Sequence, residues 1–404
     1  MVNPGYKRTE IGILPTNWEL ALLTDKCELL NGLTYTPDNV QDNGLLVLRS
    51  SNIQNGQINL GDTVFVNCMV DKEKYVKKDD ILICVRNGSA ALIGKCAKAD
   101  RDYYATFGAF MAVLRGQNND FIFQLLQQGN IQKHINKNSD STINQITNAD
   151  FKSIVIPWPS EADERETIAT ALSDIDALIT NLEKLIAKKK AIKQGAMQEL
   201  LTGKRRLPGF DGEWGNVVIG ENGYLLRESI NPQIMPLSVF SEYSMPAFDF
   251  GKKPNRVVGA DMHSNRTVIS GNVLLFNKLN VRQKRIWLVC ASEKNAVCSS
   301  EFLPYCSDAI SLRFLAHVLG TEEVTAYFIG SSTGTSNSQK RITPATFLEY
   351  SLFAPLEISE QNAIADVLDN MDREIVQLEQ KLKKYQNIKC GMMSELLTGR
   401  IRLV

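Results

Sequence analysis

The sequence predicts an α/β protein in which two mixed α/β heads are joined by two long helices forming an antiparallel coiled coil, with an internal pseudo-two-fold repeat. Three observations carry this reading. The segment E-L-L-T-G occurs at 199–203 and again at 395–399. At that offset of 196, residues 152–207 align without a gap on 348–403, with 22 of 56 positions identical. Each copy contains a long proline-free stretch with heptad-spaced apolar residues. A repeat of this kind takes precedence over local readings, because overlooking it misassigns the whole fold.

The repeat divides the chain into a first head (1–158), a first helical segment (159–207), a second head (208–355) and a second helical segment (356–404). The offset also pairs Trp18 with Trp214, Ile146–Thr147 with Ile342–Thr343, and Phe151 with Phe347. The head interiors, about 20–140 and 216–336, share little identity. A kept scaffold with two diverged inserts suggests two different readers on one frame.

In the first head, residues 81–85 (ILICV) read as a buried strand followed by a turn at Arg86-Asn87-Gly88-Ser89. Residues 107–114 (FGAFMAVL) read as a second apolar segment, and 121–128 as a short helix. At an offset of 192, residues 273–276 (VLLF) and Phe302 repeat the first strand and Phe110. Short strands with few long helices suggest a twisted sheet in each head.

The first long helix is predicted over 161–201. Ser160 is a candidate N-cap, and acidic Glu161, Asp163 and Glu164 suit the positive end of the helix dipole. Gly203 is a candidate C-cap. Its seam runs Ile168, Leu172, Ile175, Ile179, Leu182 and Ile186, with steps of 4, 3, 4, 3 and 4. The second seam runs Ile364, Leu368, Met371, Ile375, Leu378 and Leu382 in the same register. Alternating steps of three and four are the signature of a coiled coil. Each helix would be about 60 Å long at 1.5 Å per residue. The middle junction, 202–214, reads like the two chain ends joined, so the termini are expected to lie near each other and the helices to run antiparallel.

Composition bounds the function. The 404 residues carry 45 basic and 45 acidic side chains, and 44% are hydrophobic. The length suggests two to three domains with sizeable cores. Zero net charge argues against coating nucleic acid or membrane by bulk charge. No apolar run approaches the ~18 residues of a membrane span, and residues 1–20 show no apolar signal core, so a cytoplasmic protein without membrane contact is expected. None of the eight cysteines forms a C-x-x-C pair and only three histidines are present, so no metal site is expected.

Motifs for catalysis are absent from the sequence. Residues 88–96 (GSAALIGKC) do not fit a phosphate-binding loop, and no G-x-G-x-x-G or G-x-S-x-G occurs. No catalytic residue is assigned. The basic residues are clustered, however. The candidates for DNA contact are Arg86, Asn87, Ser89 and Lys95 in the first head. In the second head they are Lys278, Arg282, Lys284 and Arg285, with Asn337, Lys340 and Arg341 in the polar loop before the second helix. Lys and Arg neutralise phosphates, and Arg and Asn pair bidentately with guanine and adenine. Such clusters and loops are also common as plain solvated surface.

These features together resemble the specificity (S) subunits of type I restriction-modification systems. The marks are T-E-I-G-x-L-P-x-x-W (Thr9 to Trp18), the P-x-x-E-x-x-x-I-A-x-x-L start of each long helix (Pro159 to Leu172 and Pro355 to Leu368, with slightly varied spacing), and the E-L-L-T-G ends. G-N-V-L-L-F-N-K-L (Gly271 to Leu279) with C-S-S-E-F (Cys298 to Phe302) resembles a target-recognition pattern. The family's Glu-Gln at the helix start is kept as Glu360-Gln361 but reads Glu164-Arg165 in the first copy. The resemblance implies two target recognition domains, each reading half of a bipartite site in double-stranded DNA. It implies a coiled coil that sets the spacing, and docking of two methyltransferase (M) subunits and of restriction (R) subunits. No cofactor is then expected on this chain; S-adenosylmethionine, ATP and Mg belong to the partners. A coiled-coil adaptor with protein-binding heads and an enzyme with a site in one head remain as alternatives.

Overall fold

The computed structural model describes residues 4–137, 145–291, 293–334 and 339–403. The chain forms two compact units, each assembled from separated stretches of sequence. One unit contains 1–184 with 379–404, and the other 185–378. The division falls inside both long helices, which span Ala162–Leu200 and Ile358–Leu396.

In the first unit an antiparallel sheet is ordered Cys96–Lys98, Ile81–Cys84, Met111–Arg115, Glu28–Asn31. A second sheet pairs Ala105–Phe107 parallel to Leu45–Leu48, with Phe65–Val66 and Val40–Gln41 beyond. The single apolar segment expected over 107–114 is therefore two strands in different sheets. Gly32 allows the chain to pass close to the break at Gly108. A Cβ on Gly32 would stand 2.0 Å from Gly108 O, so these two backbones approach at a distance only glycine permits. The short helix forms at Asn119–Leu126, two residues earlier than expected.

The second unit repeats the plan. Ile286–Ala291, Gly271–Asn277, Phe302–Cys306 and Tyr224–Leu225 form the first sheet in the same order. Val239–Tyr243 pairs parallel to Ala296–Ser299 in the second. Cys84 faces Met111 and Phe276 faces Leu303, so the offset of 192 holds for the two central strands of this sheet. In both units a two-stranded ribbon leads to the long helix, with Trp18 opposite Pro159 and Trp214 opposite Pro355.

Each core includes parts of both helices. The first unit buries Trp18, Ile83, Phe121, Phe151, Ile168 and Leu172 together with Leu396 and Leu397. The second buries Phe276, Tyr305, Phe347, Ile364 and Leu368 together with Leu200 and Leu201. The leucines of E-L-L-T-G are thus core residues at the helix ends. Gly203 and Gly399 follow at φ +70° and +67°, the left-handed conformation that stops a helix at little cost to glycine.

Within each unit the helix segments run antiparallel. Asp176 accepts from Lys389 at 2.6 Å in the first unit. In the second, Asp372 accepts from Lys193 at 2.6 Å and Glu374 pairs with Lys189 at 2.6 Å. The seam residues Ile168, Leu172, Ile175, Leu182, Ile186, Ile364, Leu368 and Ile375 are buried; Ile179, Met371, Leu378 and Leu382 are half-buried. The fold class read from the sequence holds: mixed α/β heads, paired long helices and an internal repeat.

Candidate nucleic-acid interface

Two loops meet in each head. In the first, Arg86 bridges to Gln145 in an antiparallel pair, and Ile146 N–H donates to Val85 O at 2.8 Å. In the second, Leu279 bridges to Arg341, and Ile342 N–H donates to Lys278 O at 3.1 Å. The loop after the central strand is therefore pinned to the loop before the short helix that Thr147 or Thr343 caps. The joining of the two loops is a tertiary fact that composition does not reveal.

In the first head the Arg86 side chain is exposed, its guanidinium 5.2 Å from the Phe110 ring centroid. Asn87 Nδ2 donates to Ser50 Oγ at 3.1 Å, and its Oδ1 accepts from Ser89 N–H at 3.0 Å. Asn87 is thus spent on shaping the turn. Lys95 lies half-buried just before the strand Cys96–Lys98. Arg86 and Lys95 make no ion pair among the described residues.

The second head uses several of its cations internally. Arg285 donates twice to Asp249, at 2.8 and 2.7 Å, and this holds the Asp249 carboxyl below its ordinary range. Lys284 pairs with Glu322 at 2.7 Å. Arg341 donates to both oxygens of Glu301 at 3.2 and 3.1 Å, which raises the guanidinium's already high pKa. Lys278, Arg282 and Lys340 make no ion pair among the described residues, and Arg282 is exposed. Asn337 lies outside the described residues. Sequence order does not separate the two groups, because the carboxylates lie 36 to 40 residues away.

The helix starts carry a second constellation. Glu164 is buried, and accepts from Trp18 Nε1 at 3.1 Å and from Arg402 Nη2 at 2.8 Å. Glu360 accepts from Arg206 at 2.7 Å through both oxygens and from Trp214 Nε1 at 3.4 Å. The next residue differs between copies but does one job. Arg165 Nη1 donates to Pro159 O at 2.6 Å and Gln361 Nε2 donates to Pro355 O at 2.8 Å. That accounts for Glu164-Arg165 standing where Glu-Gln is usual.

Residues 15–194 match the family described as type I restriction modification DNA specificity domain. That segment belongs to the family. The resemblance to type I specificity subunits is borne out by relatives as well. The StySPI specificity subunit of Salmonella potsdam is 29% identical over 204 residues, covering 48% of this chain and 44% of that one. The match thus spans less than half the length of that relative. A Methanocaldococcus jannaschii chain assigned as the MjaX specificity subunit is 26% identical, covering 98% of this chain and 97% of its own. Among solved structures, the type I S subunit of M. genitalium has the same fold, with a TM-score of 0.63 at 14% identity, covering 94% of this chain and 96% of that one.

Burial pushes the thiols of Cys27, Cys96 and Cys298 up to about 12, so they stay protonated as small apolar core groups. His317, Asp369 and Asp372 lie close enough to share an ion. Arg313 and Lys193 already neutralise the two carboxylates. No helix among the described residues is long and apolar enough to cross a membrane.

Proposed function

We propose that this chain is the DNA sequence-specificity subunit of a type I restriction-modification complex. Each head reads one half of a bipartite site, and the paired helices set the gap between the halves and dock two methyltransferase subunits. The chain itself is non-catalytic; S-adenosylmethionine, ATP and Mg act on the methyltransferase and restriction partners. The observation that carries this reading is the repeated loop pair, built in each head on an antiparallel sheet and offering Arg86 in one head and Arg282 in the other. Loops of different sequence on one scaffold suit two different half-sites.

The zero net charge fits a division of labour. Non-specific affinity scales with phosphates neutralised, and three of the second head's candidate cations, Lys284, Arg285 and Arg341, are already paired internally. The isolated chain should bind duplex DNA weakly and with strong salt dependence, and the methyltransferase subunits should tighten it. Filter binding of chain and complex against a duplex carrying the methylated site tests this. If the heads instead bound proteins, as in a coiled-coil adaptor, the complex would show no sequence dependence.

A further inference from the structure

Phe250 is 95% exposed and follows Asp249, which Arg285 of the second head's loop holds. Its ring stands in solvent although the backbone beneath it is firmly held. Phe250 N–H donates to Pro246 O at 2.9 Å, and Lys252 N–H to Phe248 O at 3.1 Å. Gly251 and Lys252 both take positive φ, +111° and +55°. A lysine in the left-handed region is an uncommon conformation that the surroundings must enforce. The flanking residues are anchored: Asp249 by Arg285, and Phe248 by Trp287, whose ring centroid lies 5.8 Å away edge-on. The turn therefore presents one aromatic ring while fixing its neighbours.

The surroundings of that ring are polar and cationic. Lys252 and Lys253 follow it; the Lys252 ammonium lies over the Phe248 ring, 4.7 Å from its centroid, while Lys253 is exposed and makes no ion pair among the described residues. Arg285, which clamps the turn, belongs to the loop that carries exposed Arg282. Between that loop and the helix Met245–Asp249 lies a cleft of about 330 Å³ lined by Met245, Pro246, Asp249, Leu279, Asn280 and Arg285. The Asn280 side-chain oxygen is buried without a hydrogen-bond partner. A lone apolar ring among cations complements a polyanion with a stacked apolar interior. It is a poor match for the broad apolar patch of a protein interface.

We propose that Phe250 is a wedge that enters duplex DNA at a base step beside the half-site read by the second head. The inference rests on the DNA-reading function proposed above. Apolar side chains inserted between base pairs unstack and kink the duplex, and the ease of that deformation depends on the step. The second head would then prefer flexible steps at a position where it makes no hydrogen bond to a base.

The test uses the full chain assembled with its methyltransferase subunits and duplexes carrying 2-aminopurine at successive positions around the second half-site. With the unaltered chain, fluorescence should rise on binding at one step besides the methylated adenine, which the methyltransferase itself extrudes. Phe250→Ala should abolish that rise and leave the first half-site's recognition unchanged, whereas Phe250→Trp should keep it. An unchanged rise in Phe250→Ala overturns the wedge while leaving the DNA-reading function intact. Loss of methyltransferase assembly in Phe250→Ala, with an unchanged rise in what remains bound, also overturns it and assigns the ring to a protein contact. If the unaltered complex shows no sequence-dependent binding, the DNA-reading function itself fails.

Discussion

Arg402 donates hydrogen bonds to Glu164, a buried carboxylate 238 residues earlier in the chain. Arg206 stands in the same relation to Glu360, 154 residues later. Both pairs close the same constellation, because residues 164 and 360, and 206 and 402, are each one repeat apart. The tail following either helix thus locks the start of the other.

The first prediction concerns this lock. Glu360 is 1% exposed, so Arg206→Ala leaves a buried carboxylate with only the Trp214 indole. Removing one partner of a buried carboxylate leaves its charge uncompensated and destabilises the fold. Urea unfolding should show a lower midpoint for Arg206→Ala, and Arg206→Lys should recover part of it. An unchanged midpoint in Arg206→Ala would mean that Glu360 is not held by this pair.

The helix register is tested by charge exchange at Lys193 and Asp372. Lys193→Asp places two carboxylates together and should destabilise the second unit by about 1 kcal/mol, given the partial exposure of the pair. The double exchange Lys193→Asp with Asp372→Lys should restore most of it in thermal melts. If the double variant is as weak as the sum of the singles, the two residues do not face each other.

Acid should weaken the second unit through His317. Burial, opposed by the hydrogen bond to Asp369, lowers its pKa below the ordinary 6.5. As pH falls past 6.5 the unfolded chain takes up a proton that the folded unit resists, so stability declines toward lower pH. Unfolding curves at pH 7.5 and 5.5 should show this, and His317→Gln should flatten the difference.

Arg282→Ala removes a cation with no internal partner. Binding by the assembled complex should weaken by a similar factor on all sequences, and the salt slope should fall by about 1 if the lost contact is to a phosphate. Arg285→Ala should act differently: it frees Asp249, loosens the Phe250 turn and changes sequence preference. Identical effects from the two variants would contradict the roles assigned to them.

Much of the frame was legible in the sequence. The repeat, the heptad seams and Gly203 each depend on local spacing, and the helices formed within about a residue of their expected bounds. The second sheet of each head was not legible. Its strands are as short as Phe65–Val66, too brief for alternation to register, and the apolar run 107–114 hid a break at which the backbone passes close to Gly32. Arg206 and Arg402 carry a usable signal, being identical across the repeat, but a cation near a helix end also has a local explanation in the dipole. Among the candidate DNA residues, composition found the loops. It could not foresee that Arg285, Lys284 and Arg341 would be taken up by distant carboxylates, since that follows from sheet order.

The central claim is that each head reads one half of a DNA site independently. Its most direct test replaces residues 216–336 with the corresponding stretch of a relative and maps methylated adenines by single-molecule sequencing in cells with the partner genes intact. One half of the methylated sequence should change, while the other half and the gap between them stay as they were. A methylation pattern that does not move, or one that changes in both halves, would contradict the account.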